Sequence, residues 1–300
     1  MSNPRIPYQF SDDGPRLHVP DGRSILVHLV VNVETWDFNA AMPRTLITAP
    51  HGKTTIPDVP NYGWAEYGMR AGLPRMINAI AARGLKASAS CNASVIDSHP
   101  RAAEAMLEAG WEFIGHGYSQ QVLQEESEVE VITTSLKKLR DFTGKQPRGW
   151  LSPGLRSTAQ TPDVLAQAGV DYLCDWSLDD VPNWMKVKRG SLLQVPYNLE
   201  MNDSIIFAIE KHTSTEYLTR LRSTLSVFQK EAAAGPRVLA LGLHPHLVGV
   251  PHRFEYFEEM LDVLQAHPLV TFMTGSDIFD WYSNQVPCPF NETQAAGAAP

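Results

Sequence analysis

The chain has 300 residues, 43% of them hydrophobic and 19% charged, and a formal net charge of −8 at pH 7. That much apolar side chain supports one large core or two small ones, and an acidic balance without a run of like charges excludes a nucleic-acid or anionic-membrane footprint. No window approaches 18 uninterrupted apolar residues, which excludes an ordinary helical membrane span.

The opening MSNPRIPYQF has no charged segment ahead of an apolar stretch, so no secretory signal is expected. The three cysteines, Cys91, Cys174 and Cys288, are odd in number and lack C-x-x-C spacing. They fit a reducing compartment better than a disulfide framework or a thiolate zinc site, and the expected location is cytoplasmic.

Residues 1–22, rich in Pro, Asp and Gly, read as an N-terminal arm laid over a domain. Ser24–Val33 is a nearly continuous branched apolar run, as expected of a strand buried on both faces. The segment Asp37–Trp64 is a long Pro- and Gly-bearing loop, and loops of that length usually cover a binding site. Beyond it, helix and strand signals alternate. Helices are expected at Leu73–Ala82, Pro100–Glu108, Glu126–Phe142, Asp163–Ala168, Thr215–Ala233, Phe254–Ala266 and Ser276–Asn284. Strands are expected at Lys86–Ser90, Trp111–Ile114, Arg148–Leu151, Tyr172–Cys174, Val238–Leu243 and Val270–Met273. Glycines at 84, 110 and 169 stand where helix C-caps need the left-handed conformation. Such alternation means an α/β fold with parallel strands and crossover helices, without any Gly-rich phosphate loop. One domain over residues 23–285 is expected, followed by a flexible tail at 286–300.

In parallel α/β folds functional groups gather at the C-terminal ends of strands. Here those ends carry Asn32 and Glu34, then His116 and Gln120, Ser152-Pro153-Gly154, Asp175 with Asp179-Asp180 beyond, and His244-Pro245-His246. Taken singly, each has a structural explanation as a cap, a turn or a packed histidine. Their recurrence at one edge of the sheet is what points to a site.

The blocks NVE at 32–34, EYGMRAG at 66–72, WEFIGHGYSQ at 111–120, RGWLSPG at 148–154, DYLCDWSLDDVP at 171–182 and LGLHPHLVG at 241–249 resemble the polysaccharide-deacetylase (NodB-type) superfamily. The likeness is nearer to its cytosolic branch that includes metal-independent allantoinases. It implies a deformed (β/α) barrel with the site at the C-terminal mouth of the strands. Metal-dependent members carry two acidic residues after the first strand and a His-x-x-x-His pair. This chain has Asn32 and Glu34 at the first motif, and Gln120 in place of the second His. A metal, were one bound, would fall to Glu34, His116 and Gln120, a poor set for zinc. No cofactor is therefore expected beyond a weakly held divalent ion.

The expected activity is hydrolysis of a carbon–nitrogen bond, other than a peptide bond, in a small cyclic amide, imide or ureide of the allantoin type. Glu34 or His116 would activate water, and His244 would donate a proton or stabilise the oxyanion. Asn32, Glu66, Tyr67, Arg70, Gln120, Trp150, Asp180 and Arg253 are the expected substrate contacts, the arginines because a guanidinium pairs with carboxylate or ureide oxygens. His246 and His252 are histidines that could equally cap or face solvent. Two other readings compete: a metal-dependent N-acetyl-sugar deacetylase, and a non-catalytic relative. The partners expected are a small-molecule substrate and further copies of the chain in a homo-oligomer.

Overall fold

A computed structural model of the chain describes residues 3–49 and 52–290. Strand β1, Ile25–Val33, is buried at every position. Its odd-numbered side chains pack under the helices, whereas Leu26 and Val30 join a second cluster on the inner side of a curled sheet. Strict alternation then sends Asn32, and Glu34 one step past the strand, inward.

In chain order the elements that follow are α1 Val59–Tyr67, α2 Leu73–Ala82, β2 Ser88–Cys91, α3 Val95–Ser98, α4 Pro100–Glu108, β3 Glu112–Gly115 and α5 Glu128–Thr143. Next come β4 Gly149–Trp150, α6 Thr161–Gln167, β5 Tyr172–Leu173, β6 Asn183–Met185, β7 Leu192–Gln194, α7 Glu216–Glu231, β8 Arg237–Leu243, α8 Pro251–Ala266, β9 Val270–Phe272 and α9 Gly275–Ser283. The sheet runs β6-β7-β5-β4-β3-β2-β1-β8, with β9 also paired to β1. Every pairing is parallel except the β6–β7 hairpin. Past β8 the ladder gives way to single bonds. The Val238 amide donates to the Asp180 carbonyl at 2.8 Å, the Ala240 amide to Asn198 Oδ1 at 2.8 Å, and Asn202 bridges Gly242. The result is the deformed (β/α) barrel that the resemblance implies.

The chain departs from expectation in a few elements. Helix α1 occupies part of the segment read as loop, because Gly63 and Pro60 mask a helical stretch that Pro at its first turn in fact favours. The β6–β7 hairpin carried no strand signal, being three residues on each side. Pro153–Leu155 forms a 3-10 turn, and five-residue-period turns fill Gly68–Gly72 and Ser204–Ile209.

The N-terminal arm is tied down by Arg5, which pairs with Asp163 at 2.8 Å, and by the His18 carbonyl, which accepts from the Trp281 indole. At the other end, Val286, Cys288 and Phe290 pack against the inner cluster, and Trp184 donates to the Val286 carbonyl. Residues 286–290 of the expected tail are thus packed against the barrel, and its remainder, 291–300, lies outside the described residues. Among the described residues no helix is long and apolar enough to cross a membrane.

Candidate active site

Glu34, His116 and His244 each stand one residue past the end of a strand: β1, β3 and β8. All three are buried. A single carboxylate oxygen, Glu34 Oε1, lies 3.4 Å from His116 Nε2, 3.6 Å from His244 Nε2 and 2.7 Å from Gln120 Nε2. Three strands thus deliver their polar termini to one oxygen.

The two imidazoles are oriented differently. His116 Nδ1 lies 2.5 Å from the Leu151 carbonyl, which only accepts, so Nδ1 carries a proton and Nε2 faces Glu34. His244 Nδ1 lies 2.5 Å from Asp203 Oδ1, and Asp203 Oδ2 accepts the His244 backbone amide at 2.7 Å. Burial pulls the His244 imidazolium down, but Asp203 and Glu34 together push its pKa up to about 10. Burial likewise raises Glu34, yet His244 and the His116 hydrogen bond outweigh it and hold its carboxyl well below the usual range. At neutral pH the centre is therefore a carboxylate facing a charged imidazolium.

Asn92, at the end of β2, braces this arrangement. It accepts from the Thr35 amide at 2.9 Å, donates to the His116 carbonyl, and its Nδ2 reaches Gln120 Oε1 at 3.3 Å. That last contact sets the Gln120 amide with its N–H toward Glu34. The residue standing where the family pattern has a second His ligand thus presents a donor where a cation needs a lone pair. Among the described residues no group of three His, Cys, Asp or Glu side chains is placed to hold a metal ion. This donor set does not fit a catalytic zinc, which takes three His, Asp or Glu ligands, and no step below is routed through one.

Asn32 donates to Tyr197 Oη at 2.9 Å and to the Leu243 carbonyl at 3.3 Å, which leaves its Oδ1 as the atom available to a ligand. Glu34, the two imidazoles, Asn32 and Gln120 line a cavity of about 320 Å³. That is the low end of the range for small-molecule pockets, roughly 300–1,000 Å³. The segment read as a covering loop, Asp37–Trp64, contributes Met42, Pro43, Arg44 and Trp64 to its lining, and Trp36 stands just ahead of that segment. His246 packs between Trp36 and Trp64, with ring centroids at 5.6 and 4.8 Å. Burial, reinforced by the neighbouring His244 charge, lowers its pKa to about 3, so it enters the pocket as a neutral ring.

The other expected substrate contacts lie elsewhere. Trp150 is fully buried on the helix side of the sheet, its ring laid across Gly115 of β3, where a Cβ would collide with it. Glu66 pairs with His99 at 3.1 Å, and Tyr67 accepts from Arg75 at 2.7 Å. Arg70 is exposed and opens onto a groove between α2 and α4. Arg253 stacks over Phe207 at 4.3 Å and donates to the Leu247 carbonyl. Asp180 is at the wrong end of the barrel. Its carbonyl meets Val238 at the start of β8, because the chain turns back after β5 to enter the β6–β7 hairpin. His252 is exposed.

Asp203, Arg44, Asn92 and Tyr197 are the residues that sequence reasoning missed. Asp203 precedes a short apolar run with no strand signal, and its partner is 41 residues away. The one hint was its position as an acid directly before SIIFAI, which reads only as a helix start.

Residues 62–173 match the family described as Polysaccharide deacetylase. It is 26% identical over 245 residues to a Schizosaccharomyces pombe protein named "Putative polysaccharide deacetylase", spanning 74% of this chain and 76% of that one. A probable polysaccharide deacetylase from Pseudomonas aeruginosa PAO1 superposes with a TM-score of 0.81 at 24% identity, covering 92% of this chain and 96% of the other. Puue allantoinase superposes with a TM-score of 0.83 at 24% identity, covering 96% and 99%. These superpositions establish a shared fold.

Proposed function

We propose that this chain, similar over residues 62–173 to polysaccharide deacetylases, hydrolyses a carbon–nitrogen bond in a small cyclic amide, imide or ureide, and that its own side chains supply the chemistry. The observation that carries the reading is the single Glu34 oxygen shared by His116, His244 and the Gln120 amide at a small pocket. Trp36 and Trp64 in its lining suit a ring, and its size suits a small molecule more than a polymer.

A water held between Glu34 and His116 would lose its proton to that pair as its oxygen attacks the carbonyl carbon. The oxyanion that forms meets the charged His244 Nε2–H, a donor already oriented by Asp203. As the C–N bond breaks, the same Nε2–H protonates the leaving nitrogen. Asn32 Oδ1 accepts an N–H of the substrate, and Gln120 keeps Glu34 pointing into the pocket. Acid–base groups so placed supply about 10² to 10⁴ each.

The test is a hydrolysis screen of allantoin, hydantoins, cyclic imides and N-acetyl sugars, run with and without chelator, beside metal analysis of the purified protein. Turnover of a cyclic amide that survives chelation is the expected outcome. Stoichiometric zinc, nickel or cobalt, with deacetylation of N-acetyl sugars abolished by its removal, would replace this reading with the metal-dependent deacetylase that the family description favours.

A further inference from the structure

We infer that the substrate carries a carboxylate, or an anion of the same shape, and that Arg44 is the residue that selects it; the inference rests on the small-molecule reading above. Arg44 is the sole Lys or Arg among the residues lining the pocket. It has no ion pair or hydrogen bond among the described residues, and it is close enough to His246 to act on its charge. Acids of the segments near it in sequence are engaged elsewhere: Asp37 Oδ1 accepts the Asn39 amide, Asp58 accepts from Asn61 at 2.9 Å, and Glu66 pairs with His99. Glu34, the one acid among the described residues that line the pocket, is already surrounded by His116, His244 and Gln120.

The backbone beside Arg44 is held in place. Asn61, buried in α1, accepts the backbone amides of Leu46 and Ile47 at 2.7 and 3.0 Å and donates to the Ile47 carbonyl at 2.9 Å. That clamp lies two residues from Arg44 and ties its segment to the helix that carries Trp64. A guanidinium without an ion pair among the described residues, at a largely apolar pocket, matches the planar fork of a carboxylate. The neutral His246, near enough to feel its charge, adds a hydrogen-bonding ring without a competing charge. Lining the same cavity as Glu34, Arg44 would turn an anionic substrate so that its amide, and not its acid, meets the carboxylate.

Two matched pairs test this: hydantoin with hydantoin-5-acetate, and N-carbamoyl-β-alaninamide with N-carbamoyl-β-alanine. Binding by calorimetry and kcat/KM are measured for the wild type, Arg44→Gln and Arg44→Lys. A charge-assisted pair of this kind predicts that the wild type prefers the acid of at least one pair by roughly 10- to 100-fold. Arg44→Gln should collapse that preference toward one, and Arg44→Lys should restore part of it. Equal handling of acid and neutral partner by the wild type, failure to bind either acid, or a preference unchanged in Arg44→Gln overturns the inference. Preferential binding of an acid that Arg44→Gln abolishes, without turnover of any compound, upholds Arg44 and sinks the hydrolase reading instead.

Discussion

At Glu34 one carboxylate oxygen serves two imidazoles and an amide, and the division of labour among them follows from what lies behind each ring. A backbone carbonyl behind His116 fixes a proton on Nδ1, while a buried carboxylate behind His244 raises the whole ring to a pKa of about 10. Asp203 is thus a positioning residue: it acts through His244 and does not line the pocket. If protonated His244 is required, activity is present below its pKa and is lost as pH rises through about 10. Asp203→Asn removes one of the two anions that hold the proton. Its kcat should fall about 100-fold or more with little change in KM, and its alkaline limb should move down toward the ordinary histidine range. A pH–rate profile with an unmoved limb would reduce Asp203 to a packing role.

Elements bring these residues together through close backbone contacts that leave no room for side chains. The Gly68–Gly72 turn lies directly against the loop that follows β8. A Cβ on Gly68 would strike His246, one on Gly72 would strike the Pro245 carbonyl, and one on Gly249 would strike Gly72 itself. Gly72→Ala should therefore displace the His244–His246 loop. The expected cost is about 1–3 kcal/mol, seen as a thermal midpoint several degrees lower, with activity falling further than the lost folded fraction explains. Wild-type melting and turnover would show that the loop yields without consequence. None of this was legible in the sequence, where EYGMRAG carried a family likeness and three expected substrate contacts but no sign of the close approach to residues 245–249. The strand ends were legible because parallel pairing and period-2 alternation place polar termini on one side whatever the packing above them. Of the expected substrate contacts Asn32 and Gln120, which stand at strand ends, line the cavity, whereas the positions of Trp150 and Asp180 follow from which face Gly115 leaves open and from the reversal into the β6–β7 hairpin.

Across the whole molecule the barrel interior is unusually polar near β1. His28 is fully buried with Nε2 at 2.8 Å from Ser88 Oγ, and its Nδ1 has no partner among the described residues. Ser88 in turn donates to Glu112, which also accepts from Tyr172 and from the first amides of α9. Burial, against a weaker pull from Asp277, lowers the His28 pKa to about 4. The unfolded chain takes up this proton near pH 6.5 and the folded one only near 4. The His28 contribution to stability is therefore intact above 6.5 and declines as pH falls toward 4, by about 3 kcal/mol at most. Thermal melts from pH 7 to 4 should show that slope, and His28→Gln should flatten it; an equal slope in both proteins would assign the acid sensitivity to other groups. By itself the sequence determined the α/β alternation, the buried first strand, and which strand ends carry Glu34, His116 and His244, because hydrophobic period and caps are local properties of the chain. Only the tertiary structure decided that Asp203 stands behind His244, that Gln120 turns an N–H toward Glu34, and that Arg44 rather than Arg70 or Arg253 reaches the cavity. Those outcomes depend on contacts between segments tens to hundreds of residues apart, and no local periodicity encodes them.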